Sequence, residues 1–463
     1  MQALEDRLYP LKSLYEAAPQ MLKSVFGSVY RCLPRGIRYG PAYERFYNEA
    51  SEALTWTSSQ IEAYQLRALN ETLTAALKTP LYRRRFSGLR LPIQSPAELE
   101  GLPCLTKQDL LAHREEMVNQ DLLASHGLFM TTGGSTGIPV GFYLQRGVSR
   151  PKEQAYLDQI WARGSYRPGD RVSVLRGAPT SSKATGRISW HDSTRNWQIL
   201  SSYHLTLDRI PEYVSELNKF RPSHILAYPS SLLMLARAVE QLGLELTFKP
   251  KSLLCGSEVL TSHDQQWLEE YFSAPVVHWY GHSERAVLAS QLDPQKSRRL
   301  YFWPTYGFVE WGEPDENGLR EVIATSFHNE VMPLVRYRTG DYAKMPTSGL
   351  HEVEFPEVES ITGRQHEFLE SVSGRRVSLT ALNMHDSIFE GLLAVQFFSD
   401  RPGRVECHYQ AGPQWSASRL PAMDAALKRK LGDGFDLRFK AVTEVQRTAT
   451  GKHKWLVTRS MEA

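Results

Sequence analysis

A chain of 463 residues with a formal net charge of +3 is long enough for two or three domains and too evenly charged to call for nucleic acid or a membrane. Its 41% hydrophobic and 23% charged residues suit a soluble globular protein. No stretch approaches the ~20 apolar residues of a membrane span. The basic excess reads as scattered, an ordinary solvated surface. Met1 to Arg7 is charged early and precedes no long apolar core, which argues against a signal peptide. Cys32, Cys104, Cys255 and Cys407 lie far apart with no CxxC pair, so a cytoplasmic protein without a disulfide framework is expected. Cys407 and His408 are adjacent but cannot complete a tetrahedral zinc site, so they read as structural.

Residues 1–100 read as a helical lead-in, with Ser58–Leu77 the clearest helix because Ile61, Tyr64, Leu66, Leu69, Leu73 and Leu77 recur at helical spacing. Strands are expected at Val172–Leu175, Ile225–Tyr228, Ser252–Leu254 and Pro275–Tyr280. Helices are expected at Asp208–Phe220, from Pro229 to Leu242 with Gly243 as the stop, and from a capping box at Ser262–Gln265. Strands alternating with helices imply parallel strands joined by crossovers, an α/β fold. Ligands of such sheets bind beyond the C-terminal strand ends, which lines up Tyr228–Ser230, Gly256–Glu258 and Gly281–Glu284 along one cleft. After about Ile361 short strands (Ala394–Phe398, Val405–Tyr409) and a helix near Ala422–Leu431 suggest a small α+β domain. The expected division is 1–361 and 362–463.

Five motifs bear on chemistry. Thr131, Thr132, Gly133, Gly134, Ser135, Thr136 and Gly137 combine glycines with hydroxyls, the make-up of a loop whose backbone N–H groups cradle phosphate. It is not a Walker A loop, because no Gly-Lys-Ser/Thr ending follows. Read alternatively, Gly133–Gly137 is a nucleophile elbow with Ser135 attacking an ester, although an extended segment rather than a helix follows it. Tyr280-Gly281-His282-Ser283-Glu284 ends a strand with a carboxylate able to hold magnesium against phosphate, or merely caps a turn. Val335–Asp341 puts an acid after Thr-Gly, either for ribose hydroxyls or as a charged turn between strands. Ile361–Leu369 and Thr448–Lys452 complete the set.

In order and spacing, these motifs resemble those of the adenylate-forming superfamily, the acyl-CoA synthetases, adenylation domains and luciferases. The phenylacetate–CoA ligase-like branch, with its coenzyme F390 synthetase-like and CapK-like members, is the nearest in pattern. Leu102-Pro103-Cys104-Leu105-Thr106-Lys107-Gln108-Asp109-Leu110 resembles that branch's segment upstream of the phosphate loop. The likeness implies a large N-terminal domain of mixed, mainly parallel sheets flanked by helices, and a small mobile α+β C-terminal domain. It implies that Thr131–Gly137 wraps the ATP phosphates. Gly256, Ser257, Glu258 and Tyr280, with Gly281 and Ser283 beside them, would bound the adenine side of the site. Glu284 would hold Mg2+, and Asp341 with Arg364 the ribose. Lys452 would reach in from the small domain, which would then rotate about Arg364–Glu367 to admit a second nucleophile.

The implied reaction joins a small carboxylic acid to AMP with release of pyrophosphate, then passes the acyl group to CoA or another acceptor. No nucleic acid partner is implied. A CapK-like role in polysaccharide synthesis, a nucleotide binder that has lost adenylation, and the Ser135 hydrolase are the rival readings. Three positions depart from the pattern: Ile138 stands where a lysine is frequent, Ser283 replaces threonine, and Glu367, preceded by His366, replaces aspartate. Trp190, Trp197, Tyr203 and Trp279 are candidates for an acyl pocket or for core, and His191 and His204 share that ambiguity.

Overall fold

A computed structural model describes residues 20–131, 140–176, 187–202, 204–205, 207–258, 260–314, 318–347, 353–362, 368–378, 382, 389, 392–411, 415–443 and 456–458. It opens with helices α1 (Gln20–Cys32), α2 (Arg35–Tyr39), α3 (Pro41–Ala53), α4 (Ser58–Ala76), α5 (Pro80–Arg85), α6 (Lys107–His113) and α7 (Gln120–His126). The expected helix at Ser58 is α4. Thr57 starts it with a capping box, its hydroxyl accepting from the Gln60 N–H while the Gln60 side chain accepts from the Thr57 N–H.

Strands β1 (Gly127–Thr131) and β2 (Gly141–Gln145) then form an antiparallel pair with Thr131 opposite Gly141, and α8 (Ser149–Ala162) follows. A nucleophile elbow needs a helix directly after its loop. Here the next described element is the strand β2, from Gly141, and this counts against the hydrolase reading.

The central elements are β3 (Val172–Leu175), β4 (Ser189–Asp192), β5 (Trp197–Leu200), α9 (Ile210–Phe220), β6 (His224–Ala227), α10 (Pro229–Gln241), β7 (Ser252–Gly256), α11 (Ser262–Phe272), β8 (Val276–Gly281), β9 (Leu288–Ser290) and β10 (Leu300–Phe302). With the two-residue strand β14 (Glu357–Val358) they build a nine-stranded sheet in the order β14-β10-β9-β8-β7-β6-β3-β5-β4. Strands β5, β3, β6, β7 and β8 are parallel neighbours, while β4, β9, β10 and β14 pair antiparallel at the two margins. The mixed, mainly parallel sheet expected from the alternation of elements is therefore present.

Both faces of this sheet are covered, so its middle strands are apolar on both sides. Leu253 and Cys255 pack with α9, α10 and α11 on one face, and Leu254 and Val277 pack with α3 and α8 on the other. Trp197 and Trp279 belong to this second layer, which decides for core at those two positions. Tyr203 lies outside the described residues.

Several boundaries shift by one or two residues, two of them at helix starts. Tyr228 is not the last residue of a strand but the N-cap of α10, while β6 begins one residue earlier at His224. The cap of α11 is Thr261 rather than Ser262: the Thr261 hydroxyl accepts from the Asp264 N–H at 3.0 Å. Gln265 instead turns its side chain to Glu269 and Gln291. Gly243 does stop α10, with a left-handed φ of +62° and its N–H on the Glu240 carbonyl.

Strands β11 (Gly307–Pro314), β12 (Arg320–Ser326), β13 (Tyr337–Lys344) and β15 (Ser360–Thr362) form an antiparallel sheet in that order. The remaining elements are β16 (Phe368–Glu370), β17 (Arg376–Ser378), β18 (Leu392–Arg401), β19 (Arg404–Ala411), α12 (Leu420–Leu431), β20 (Asp436–Ala441) and β21 (Leu456–Thr458). They enclose a core of their own, in which Val395, Phe397, Val405 and Cys407 of the sheet meet Met423, Leu427 and Leu431 of α12. Cys407 is thus a core residue, and His408 points to Glu406 on its own strand. No helix among the described residues is long and apolar enough to cross a membrane.

Candidate active site

Parallel pairing puts Leu175, Leu200, Ala227, Gly256 and Gly281 at one edge of the sheet. The backbone must turn away there, so side chains just beyond these residues face a common space. Gly256 ends β7 against the flat side of its neighbour: a Cβ at this position would lie 2.4 Å from Cε2 of Trp279. Ser257 follows in the left-handed region at φ +72°, which bends the chain and brings its hydroxyl to the Arg176 guanidinium at the end of β3. Arg176 also stands over Tyr228 at 5.1 Å and Trp279 at 5.6 Å from the ring centroids. Glu258 is buried beside this group.

Tyr280 and Asp341 come from different sheets. The Tyr280 hydroxyl donates to Asp341 Oδ2 at 2.8 Å. Burial, followed by the Asp341 charge, pushes the tyrosine hydroxyl well above its ordinary range, so it remains the donor. Asp341 sits within β13 just after Gly340, whose φ of +77° accompanies a break in the β12–β13 register. The segment read as a possible turn is therefore a bulged strand that re-aims an acid toward the edge of the main sheet.

Glu284, buried to 5% exposure, is held at both oxygens: Tyr337 donates to Oε1 at 2.9 Å and His282 Nδ1 meets Oε2 at 3.2 Å. Burial alone would raise its pKa. The His282 hydrogen bond and charge, with the charge of Lys107 from the start of α6, outweigh that and hold it down at about 2. The group is a carboxylate at any physiological pH. One fixed carboxylate suits magnesium, which commonly takes one or two from a protein and completes its shell with phosphate oxygens and water.

Of the predicted residues, Gly256, Ser257, Glu258, Tyr280, Gly281, Ser283, Glu284 and Asp341 all fall at or just past strand ends of the main sheet or on β13 beside it. Thr131 ends β1, and the β1–β2 pair is fixed nearby. Phe142 and Leu144 share a core with Ala286, Val287 and Tyr337. Arg285 ties the turn after Glu284 to the start of α8 through the Ser149 carbonyl and hydroxyl, both at 2.9 Å. Thr132, Gly133, Gly134, Ser135, Thr136, Gly137, Ile138, Arg364, His366, Glu367 and Lys452 lie outside the described residues.

Sequence reasoning passed over Arg176, His282 and Tyr337 as individual residues. The strand-end rule applied to Val172–Leu175 would have pointed to Arg176, and the other two lie inside motifs already singled out. Nothing in the spacing signalled that Lys107, far upstream, acts on Glu284.

No family model matches the chain. It is 24% identical over 387 residues to the protein CapK of Staphylococcus aureus, covering 81% of this chain and 83% of that one. It is 25% identical over 344 residues to the phenylacetate–coenzyme A ligase of Pseudomonas putida, covering 70% and 76%. Among solved structures, a 2-hydroxyisobutyryl-CoA ligase in complex with 2-HIB-AMP and CoA superposes with a TM-score of 0.55 at 16% identity, over 88% of this chain and 91% of that one. That likeness speaks to the fold. The chain is thus similar in sequence to CapK and to phenylacetate–coenzyme A ligases, and it shares the fold of a ligase that is solved with an acyl-AMP and CoA.

Proposed function

We propose that the protein activates a small carboxylic acid with ATP and passes the acyl group to the thiol of CoA. The observation that carries this reading is the meeting of Tyr280 with Asp341, and of Glu284 with Tyr337 and His282, at the C-terminal strand ends. Segments that are remote in sequence supply an acid for ribose and an acid for a metal at one sheet edge.

In the proposed first step a substrate carboxylate oxygen attacks the α-phosphorus of ATP, the bond from that phosphorus to the α,β-bridging oxygen breaks, and pyrophosphate leaves with the bonding pair. In the second, a thiol attacks the acyl carbon and AMP leaves with the bonding pair. Both reactants of the first step are anions, so aligned N–H groups and cations must offset their repulsion. Thr131–Gly137 would supply N–H groups and hydroxyls to the phosphates. Asp341 would accept from the ribose hydroxyls, with its position set by Tyr280. Gly256 leaves room for the flat face of Trp279, and a planar base would lie along the adjoining turn at Ser257. Glu284 would hold magnesium, which when bound draws charge from the leaving pyrophosphate.

Residues 1–361 would form the large domain and 362–463 the small mobile one. Lys452 would approach the reacting carboxylate from the small domain, aided by Arg364, and a turn of that domain about Arg364–Glu367 would withdraw it before thiol attack. Ile138 leaves the phosphate loop one cation short of the usual pattern. Lys107, whose charge acts on Glu284, would make up for it.

The longer of the two relative matches is to CapK, and this favours as a second reading an acceptor other than CoA in polysaccharide synthesis. A pyrophosphate-release assay over a panel of carboxylic acids, with and without CoA, tests both. Acid-dependent pyrophosphate that is sustained by CoA supports the first reading. Acid-dependent pyrophosphate with no CoA thioester supports the second. ATP binding with no turnover for any acid would overturn adenylation. Lys452→Ala is expected to lower pyrophosphate release at least ~100-fold while ATP still binds.

A further inference from the structure

Directly after Glu284 the backbone enters a region that long side chains rarely occupy. Arg285 is left-handed at φ +54°, and its N–H closes the turn on the His282 carbonyl at 3.0 Å. Glycine takes such a position readily, whereas any other residue must be kept there by its surroundings. The Arg285 side chain is tied down in turn. Its Nη1 donates to both the carbonyl and the hydroxyl of Ser149, each at 2.9 Å, and its Nε lies 3.7 Å from Glu153. Resting on the reading of this edge as a nucleotide and metal site, we propose that Arg285 is a positioning residue. It fixes the Glu284 carboxylate relative to the β1–β2 pair, between whose strands Thr131–Gly137 falls in the sequence.

Connectivity is the first reason. Ser149 opens α8, and three residues separate it from the end of β2 at Gln145. That link is short and closed, with the Val148 N–H on the Gln145 carbonyl at 3.4 Å. Whatever holds Ser149 therefore also holds the end of β2. The strand meets the turn a second time through the core, where Phe142 and Leu144 pack with Ala286 and Val287. Gly307 presses on the turn with its backbone: a Cβ at this position would lie 1.8 Å from the Ala286 carbonyl oxygen. The Arg285–Ser149 bonds add direction to these contacts, because two acceptors on one nitrogen fix the angle at which the turn meets α8.

Charge is the second reason. A cation at the first turn of a helix opposes the helix dipole, so the arginine is poorly placed for stabilising α8. Glu153, one turn into the helix, offsets this and is itself anchored by the Tyr306 hydroxyl at 2.5 Å. The Tyr306 carbonyl in turn accepts from the buried Lys152 ammonium at 2.6 Å. Arg285 thus ends in a rigid, buried mount.

An uncommon backbone conformation and an ill-favoured charge, kept together beside a buried carboxylate, are the pattern of strain retained for function. Residues that orient a metal-binding carboxylate without touching the metal set its affinity, and losing one commonly weakens metal binding ~10- to 100-fold.

The test is calorimetric titration of the full chain with α,β-methylene ATP over a series of magnesium concentrations, a readout that needs no turnover. Magnesium is expected to tighten nucleotide binding in the unaltered protein. Arg285→Gly accepts the left-handed backbone and loses the guanidinium. It should raise the magnesium concentration at half effect at least ~10-fold, with a smaller loss of affinity when magnesium is absent. Arg285→Lys, which keeps the charge without the planar fork, should fall between the two. Ser149→Ala, which spares the carbonyl, should shift the midpoint in the same direction by less. An unchanged midpoint in Arg285→Gly overturns the proposal. Equal loss of affinity with and without magnesium overturns it as well, since that marks a merely structural role, and so does the absence of any magnesium effect in the unaltered protein. If Arg285→Gly proves unfolded by circular dichroism, Arg285→Lys and Ser149→Ala decide, and a midpoint unmoved in both overturns it. Pyrophosphate release over the acid panel is scored separately: no turnover for any acid, with the magnesium shift intact, would sink adenylation and leave the role of Arg285 standing.

Discussion

Lys152 is 4% exposed, and its ammonium finds two backbone carbonyls, Tyr306 at 2.6 Å and Phe327 at 3.0 Å, with the Tyr306 ring 4.0 Å away. Burial pushes its pKa down to about 7, since neither Glu49 nor Glu153 offsets the lost hydration. The sign follows from linkage. Between the folded value and the ordinary lysine value the unfolded chain binds the proton and the folded chain does not. Stability from this group therefore rises as pH climbs from about 7 toward 10 and is smallest below 7. The full span is on the order of 4–5 kcal/mol at 1.36 kcal/mol per pKa unit. Urea unfolding at pH 7 and pH 9.5 should show the unaltered protein gaining stability relative to Lys152→Met. Parallel behaviour of the two proteins would rule out a neutralised lysine. Nothing in the sequence around Lys152 marks it, because its burial depends on β11 and the segment after β12 closing over α8. Tyr280 and Asp341 were both legible as site residues within their motifs. Their bond to each other was not, since 61 residues separate them.

The start of α11 shows why local patterns fix an element more surely than its ends. Thr261 and Ser262 are both hydroxyl residues, and each has a polar side chain three positions on, Asp264 and Gln265. Either could cap. Asp264 accepts from the Thr261 hydroxyl at 2.9 Å on one oxygen while Arg237 holds the other at 2.8 Å, whereas Gln265 is drawn into the core by Gln291 at 3.2 Å. Thr261→Ala should accordingly cost about 1 kcal/mol in chemical denaturation, and Ser262→Ala less than ~0.5 kcal/mol. The reverse order would restore the cap to Ser262.

The helices between Val172 and Tyr280 and the parallel strands β3, β6, β7 and β8 were readable because each is a continuous apolar or periodic run with a turn signal at its end, whereas the parallel strand β5 was not assigned in advance. The strands from β9 to β15 were not assigned in advance. Several are only two or three residues long, and their pairing partners lie across the fold, as when Leu300 of β10 meets Val358 of β14. Asp341 was ambiguous between turn and strand for the same reason. The bulge that aims it depends on the neighbouring β12, and Glu321 of that strand accepts from the Gly340 N–H at 3.1 Å.

At the scale of the whole molecule, charge that is scattered along the chain gathers in space. Arg31 and Arg38 reach the β4–β5 turn across 162 and 156 residues, which no inspection of net charge could reveal. The nucleotide site is assembled in the same way at the other edge of the sheet, from β7, β8 and β13, with the β1–β2 pair nearby. The central claim is that these segments close on one nucleotide. Hydrogen–deuterium exchange of the full chain with and without ATP and magnesium tests it most directly. Exchange is predicted to slow together in peptides containing Thr131–Gly137, Gly256–Glu258, Tyr280–Glu284 and Asp341. Slowing confined to one of these segments, or absent from all four, would contradict a shared site.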